Sequence, residues 1–190
     1  TGKVGYVYQN PDNQIFAETV FDETAFILRM RGMAEAQIQD RVDAILTHMG
    51  LFDRKQSDPF SLPKGDRQKV ACAAILTGEP DLIILDEPTT GLDYPSLKGL
   101  MESVAILNQN GKTIIIITHS METAANYGNK ILALSQGEIF YYGDKRKFFE
   151  DEHLIGMGKA CRTEIMEMTL KLNGKLLLNE KEFLMCWKKR

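Results

Sequence analysis

Long apolar runs are missing from this chain. The longest aliphatic stretches, residues 82–85 and 114–117, fall far short of the ~20 residues that a membrane-spanning helix needs. Any membrane association must therefore run through a partner. Cysteine is sparse: Cys72, Cys161 and Cys186 are scattered and form no C-x-x-C pair. That excludes a disulfide or zinc framework and points to a reducing compartment. A basic excess is absent as well, with 23 Lys+Arg against 26 Asp+Glu and a net charge of -3, so there is no footprint of a dedicated nucleic-acid binder. The chain has no internal repeat, no low-complexity stretch and no signal peptide. It opens on Thr1–Gly2 without an initiator methionine and reads as a fragment. Nor does a G-x-x-x-x-G-K-S/T phosphate loop occur: Gly111, Lys112 and Thr113 form a turn into a strand and lack the preceding glycine.

What remains is ordinary globular material, 190 residues with 44% apolar and 26% charged, enough for one sizeable core plus an appendage. Residues 4–8 (VGYVY), 81–85 and 113–118 read as short buried strands, because continuous apolar runs suit a sheet covered on both faces. Helices are expected over 18–28, 34–49, 65–76, 94–108 and 121–127. In the second, Ile38, Val42, Ile45, Leu46 and Met49 share one face at helical spacing. Residues 130–134 and 138–142 suit a hairpin around Gln136 and Gly137. After residue 145 the sequence reads as a helical appendage, with helices over 145–150, 161–172 and 180–187 and a break at Asn173–Gly174. Alternating strands and helices argue for an α/β fold with a mainly parallel sheet. The expected division is 1–145, with a helical subdomain at about 17–78, and 146–190.

Three stretches carry chemistry. In LIILDEPTTGLD, residues 82–93, an apolar strand ends in Asp86 and Glu87. Ligands in an open α/β sheet bind beyond the carboxyl ends of the strands. Two acids there divide the work of phosphoryl transfer to water: one holds Mg²⁺ and the other polarises the attacking water. A solvated acidic turn is the plain alternative, but the Pro-Thr-Thr-Gly-Leu-Asp that follows makes chance a poor explanation. In IIIITHS, residues 114–120, a second strand delivers His119, suited to donating a hydrogen bond to a γ-phosphate. His48 and His153 read as structural. In GYVYQNPDNQIF, residues 5–16, Gln9 follows a strand and enters a Pro-Asp-Asn turn; its amide suits a metal or a water, and the alternative of no role weighs about evenly.

Together, in this order, these residues resemble the ATP-binding-cassette (ABC) ATPases over nearly the whole chain. The resemblance implies a P-loop NTPase-like fold, ATP and Mg²⁺ as cofactors, and a role for each matching residue. Gln9 corresponds to the Q-loop glutamine and Asp86–Glu87 to the Walker B pair, Asp86 with Gln9 on the metal and Glu87 catalytic. Residues 91–93, ending in Asp93, correspond to the D-loop, and His119 to the switch histidine. Residues 62–66, containing Pro63, Lys64, Gly65 and Asp66, correspond to the signature motif that contacts ATP bound on a second ATPase half. The wording QNPDNQIF is similar to the energy-coupling-factor subfamily, which powers uptake of vitamins and transition metals. The GLDYPS run, the K-G-x-R-Q style of signature and the helical tail are similar to the second half of its tandem ATPases.

Two departures matter. The family's phosphate loop would lie upstream of residue 1, so this chain alone is expected to be inactive. The signature reads SLPKGDRQK, where the family has L-S-G-G-Q. Pro63 removes a hydroxyl and a backbone donor, and Asp66 sets a carboxylate where a phosphate would come. Gly65 and the helix remain, with Lys64 and Arg67 as positive charge, so a weakened contact is expected; an ordinary helix start capped by Asp66 is the rival. Phe16, Phe21, Phe26, Ile27 and Met33 suit either a docking groove for a partner helix or core packing. The implied partners are a second ATPase half or subunit, a transmembrane coupling protein and a separate substrate-binding membrane component, with no nucleic acid. The implied location is the cytoplasmic face of the membrane, peripherally bound. Alternatives are a non-transport ABC ATPase, of the DNA-repair, chromosome or translation-factor kind, or a regulatory, catalytically weak half. Too few residues separate Gln9 from Leu62 for a long coiled-coil insertion, and the intact Asp86, Glu87 and His119 argue against a dead half.

Overall fold

A computed structural model describes residues 3–158 and 160–187, apart from the side chains of Asn173 and Trp187. The opening Thr1–Gly2 lies outside the described residues. The chain divides into two compact units at Ile117/Thr118.

The first unit is built on three parallel strands in the order β1 (Val4–Val7), β2 (Leu82–Asp86) and β3 (Thr113–Ile117). The register sets Val7 beside Leu85 and Leu85 beside Ile116, so all three strands end at one edge. Four helices accompany them: α1 (Val20–Met30), α2 (Glu35–His48), α3 (Lys64–Leu76) and α4 (Tyr94–Gln109). Thr19 starts α1 by accepting a hydrogen bond from the Asp22 amide, and Ile38, Val42 and Leu46 form the fully buried stripe of α2. α3 differs from the others, being buried almost all round from Gln68 to Ala74. Its VACAA run supplies small side chains, which let α1, β1 and α4 approach it closely. Within it, burial pushes the Cys72 thiol up to about 12, which keeps it neutral and unreactive.

The continuous apolar runs led to the expectation of strands covered on both faces. The structure covers one. Ile83 and Leu85 are fully buried, while Ile115 and Ile117 are 45% and 47% exposed, beside exposed Val4, Tyr6 and Tyr8. The expectation fails because it needs a layer on each side of the sheet, and no described element of the first unit packs over this second face.

The second unit contains α5 (Met121–Tyr127), an antiparallel hairpin of β4 (Lys130–Ser135) and β5 (Glu138–Asp144), and the helices α6 (Lys145–Glu150), α7 (Glu152–Met157), α8 (Glu164–Asn173) and α9 (Glu180–Trp187). Gln136 and Gly137 take φ of 52° and 84°, the two left-handed residues that a tight hairpin turn needs. The hairpin, expected with residues 1–145, falls in the second compact unit. Ile131, Ala133, Phe140 and Tyr141 of the hairpin pack against Phe148, Phe149 and Met166, so hairpin and tail share one core. The helix expected from residue 161 begins at Glu164 instead. Arg162, ahead of it, donates to the carbonyls of Phe149 and Glu150 and pairs with Glu152, and those tertiary bonds hold the segment extended. Leu184 and Met185 are exposed.

Phe149 is fully buried and meets Phe148 edge to face, with ring centroids 5.3 Å apart. Phe149→Ala is expected to destabilise the second unit by about 3–5 kcal/mol, the usual cost of emptying a buried aromatic site. Denaturant unfolding followed by circular dichroism measures this, and a loss below ~1 kcal/mol would show that Phe149 is not a core residue.

Candidate functional site

β2 carries its apolar side chains as far as Leu85, then presents Asp86 and Glu87, both half-buried, at the carboxyl edge of the sheet. Glu87 adopts φ 45°, a left-handed conformation that a non-glycine residue holds only when its surroundings enforce it. The enforcement is visible. The Glu87 amide donates to the Ile117 carbonyl at 2.9 Å, and its carbonyl accepts from Thr90. The ladder with β3 therefore runs one residue past Asp86 before the chain turns sharply away. Such strain recurs at functional positions.

Asp86 Oδ2 accepts a hydrogen bond from the Tyr6 hydroxyl at 2.9 Å. That bond, with burial and the Asp86 charge as lesser causes, raises the Tyr6 phenol above its ordinary value. Sequence reading did not single out Tyr6. The available signal was its place on the strand that leads into Gln9, three residues before it. Gln9 itself is exposed, two residues past the end of β1, and a 3-10 turn, Pro11–Asn13, follows it.

The acids can be tested for a metal. Among the described residues no group of three or more His, Cys, Asp or Glu could form an all-protein cage. One hard carboxylate at a strand end suits Mg²⁺, which binds through one or two carboxylates and completes its shell with waters and substrate phosphates. Asp86 fits that role, since Tyr6 occupies only one of its oxygens.

Residues 62–66 form the entry to α3. Pro63 stands at the N-cap with no side-chain capping bond, so the expectation of a helix capped by Asp66 is not met. Asp66 lies inside the first turn and pairs with Lys69 at 2.5 Å. Lys69 is 7% exposed and also lowers the Asp93 carboxyl. This buried cation answers the Asp66 charge and so lessens the repulsion of a phosphate expected there. Arg67 was expected to offer free positive charge and instead pairs with Asp12. Lys64 is exposed, and no partner for it occurs among the described residues.

Gly65 abuts the 91–93 turn: a Cβ there would sit 2.8 Å from the Gly91 carbonyl oxygen. Beyond that turn Asp93 caps α4 by accepting from the Ser96 amide at 3.0 Å. The Ser96 side chain and then its amide hold the Asp93 carboxyl below the usual range. The entry to α3 and the start of α4 are therefore joined by one close backbone contact.

In the second unit His119 is exposed and directly precedes Ser120, which caps α5 by accepting from the Thr123 amide at 3.1 Å. The Ser120 amide donates to Thr118 Oγ1 at 3.0 Å, so a tight turn displays the histidine. Of the five apolar residues near Gln9, Phe21 is buried, and Ile27 and Met33 pack on the core. Phe16 and Phe26 stay 62% and 44% exposed in an edge-to-face pair 4.8 Å apart, with Met30 exposed on the same helix as Phe26. The buried Glu23 carboxylate accepts from the Phe16 and Ala17 amides and fixes that display.

Comparison with known proteins now bears on these features. A family model described as ABC transporter matches residues 1–90. A Pyrococcus horikoshii protein named as an ABC transporter ATP-binding protein is 36% identical over 181 residues, 95% of this chain and 69% of that protein. The chain belongs to the ABC transporter ATP-binding proteins. A relative of the same description from Caldanaerobacter subterraneus is 44% identical over 98% of this chain. The energy-coupling factor transporter ATP-binding protein EcfA2 of Methanospirillum hungatei is 35% identical over 91% of it. The chain spans 32% and 44% of the lengths of these two proteins. Among solved structures, cbiO1 from Clostridium perfringens, part of the ABC transporter complex cbiONQ, superposes with a TM-score of 0.71 at 29% identity. That match covers 97% of this chain and 67% of cbiO1. The fold expectation, α/β with a parallel sheet and helices, holds. No helix among the described residues is long and apolar enough to cross a membrane.

The close approach at Gly65 gives a test of how α3 is seated. Gly65→Ala is expected to push the helix start off the 91–93 turn and cost about 1–3 kcal/mol, as overpacking against a rigid neighbour does. Thermal unfolding reads this, and a variant as stable as the parent would show that the two segments do not touch.

Proposed function

We propose that this chain is the ATP-hydrolysing part of a membrane uptake system of the energy-coupling-factor type. The observation that carries the reading is the end of β2, where a metal-suited carboxylate precedes a glutamate held in left-handed backbone. Asp86 and Gln9 would hold Mg²⁺, which would supply charge neutralisation for the phosphates. Glu87 accepts the proton of the attacking water, and His119 donates a hydrogen bond toward the γ-phosphate.

Residues 62–66 face ATP bound mainly by a second ATPase half or subunit. There the exposed Lys64 supplies the charge, Pro63 withholds a hydroxyl and a donor, and Asp66 has its own charge answered by Lys69. Asp93 sits across the same interface. No G-x-x-x-x-G-K-S/T run occurs in residues 1–190, so the triphosphate cradle and its lysine come from elsewhere in the intact protein. The greater length of the relatives supports this. The exposed Phe16, Phe26 and Met30 receive a helix of a transmembrane coupling protein. A separate membrane component binds the substrate, and the ATPase sits peripherally on the cytoplasmic face. The EcfA2 relative and the likeness to cbiO1 support the uptake reading.

In the intact protein Glu87→Gln keeps the size and the strained backbone but loses the base. Turnover is expected to fall by about 10²-fold or more while ATP binding persists. Steady-state ATPase assays and nucleotide retention on a filter measure the two separately. Full activity in Glu87→Gln would remove Glu87 from the chemistry.

A further inference from the structure

Arg67 lies one residue beyond the stretch proposed to face the partner's ATP, and its guanidinium is committed elsewhere. Nε donates to Asp12 Oδ1 at 2.6 Å and Nη2 to Asp12 Oδ2 at 3.3 Å. Nη1 donates to the Leu62 carbonyl at 2.6 Å. Asp12 belongs to the turn that follows Gln9, and Leu62 opens the 62–66 stretch. One planar group therefore ties together two segments lying 55 residues apart in sequence. A second bond runs alongside: Gln14 Nε2 donates to the Ala71 carbonyl at 2.9 Å, one turn further along α3, while its Oε1 accepts from the Tyr8 amide at 3.2 Å.

The need for such a tie follows from the helix itself. Pro63 gives α3 no side-chain cap, so the helix start lacks the side-chain anchor that usually fixes such an entry. The Arg67 side chain is 19% exposed and Asp12 40%, so the pair is partly sheltered from screening. Only arginine offers a fork that grips a carboxylate with two nitrogens and leaves a third for a carbonyl.

We propose that Arg67 is a positioning residue: it clamps the turn after Gln9 to the entry of α3, so that these segments move as one body and residues 62–66 meet the partner's ATP in step with the state of Gln9. This rests on the proposed function for what those residues face. The clamp itself can be tested without it.

The experiment uses the intact protein with Arg67→Lys, Arg67→Gln, Asp12→Asn and the Asp12→Asn/Arg67→Gln pair. Hydrogen exchange by mass spectrometry reads residues 10–16 and 62–66 in the absence of nucleotide. Each single variant is expected to speed exchange in both segments by about threefold or more, as release of a local constraint does. The paired variant should be no worse than either single one. In ATPase assays kcat falls while the KM for ATP stays within about twofold, the mark of lost positioning rather than lost binding. Exchange that rises only next to the substituted residue overturns the clamp. So does a raised KM at unchanged kcat, which would make Arg67 a direct nucleotide contact. Arg67→Lys keeps charge and bulk, so a folded variant remains even if Arg67→Gln is lost. Absence of turnover in the parent would sink the proposed function, yet the exchange result would still decide the clamp.

Discussion

The parallel pairing of β2 between β1 and β3 is the constraint on which the rest of the first unit depends. Ile83 and Leu85 anchor β2 with no exposure at all, and the register on both sides brings three strand ends to one edge. With the strand anchored, its first polar residues emerge where the backbone runs out of neighbours. The Glu87 amide prolongs the ladder by one bond to Ile117. That bond and the 87–90 turn hold Glu87 in a conformation it would otherwise leave, so a buried apolar ladder maintains the geometry of an exposed edge.

Charge is handled internally around α3. Asp66 is answered by Lys69, which also acts on Asp93, and Arg67 is answered by Asp12. Salt bridges of this kind contribute modestly when solvated and more when partly buried. Here their consequence is chiefly geometric: Arg67–Asp12 links the entry of α3 to the turn after Gln9, and Asp66–Lys69 lies within the first turns of α3. Among the described residues, Lys64, Gln9 and the exposed phenylalanine pair are left to meet something outside the chain.

Local patterns were legible wherever the cause was local. α5, α6 and α9 span the residues expected to be helical, and the hairpin turns at Gln136–Gly137 as expected. β2 was plain from LIILD and the acids after it. What escaped was long-range. No local signal joins Asp12 to Arg67 or Tyr6 to Asp86, because such pairs exist only after the sheet and α3 are assembled. The exposed face of β3 escaped for a related reason: an apolar run gives its preference for burial but not what is present to bury it. The packing of the hairpin on Phe148 and Phe149 was likewise invisible in composition.

The central claim is that the end of β2 is where ATP is hydrolysed. Its most direct test is a crystal structure of the intact protein with Mg²⁺ and a non-hydrolysable ATP analogue. The account predicts Mg²⁺ at Asp86, either bound directly at about 2.0–2.1 Å or through one of its waters, and a second water held by Glu87 in line with the γ-phosphate. A triphosphate whose metal lies away from the carboxyl end of β2 would contradict it.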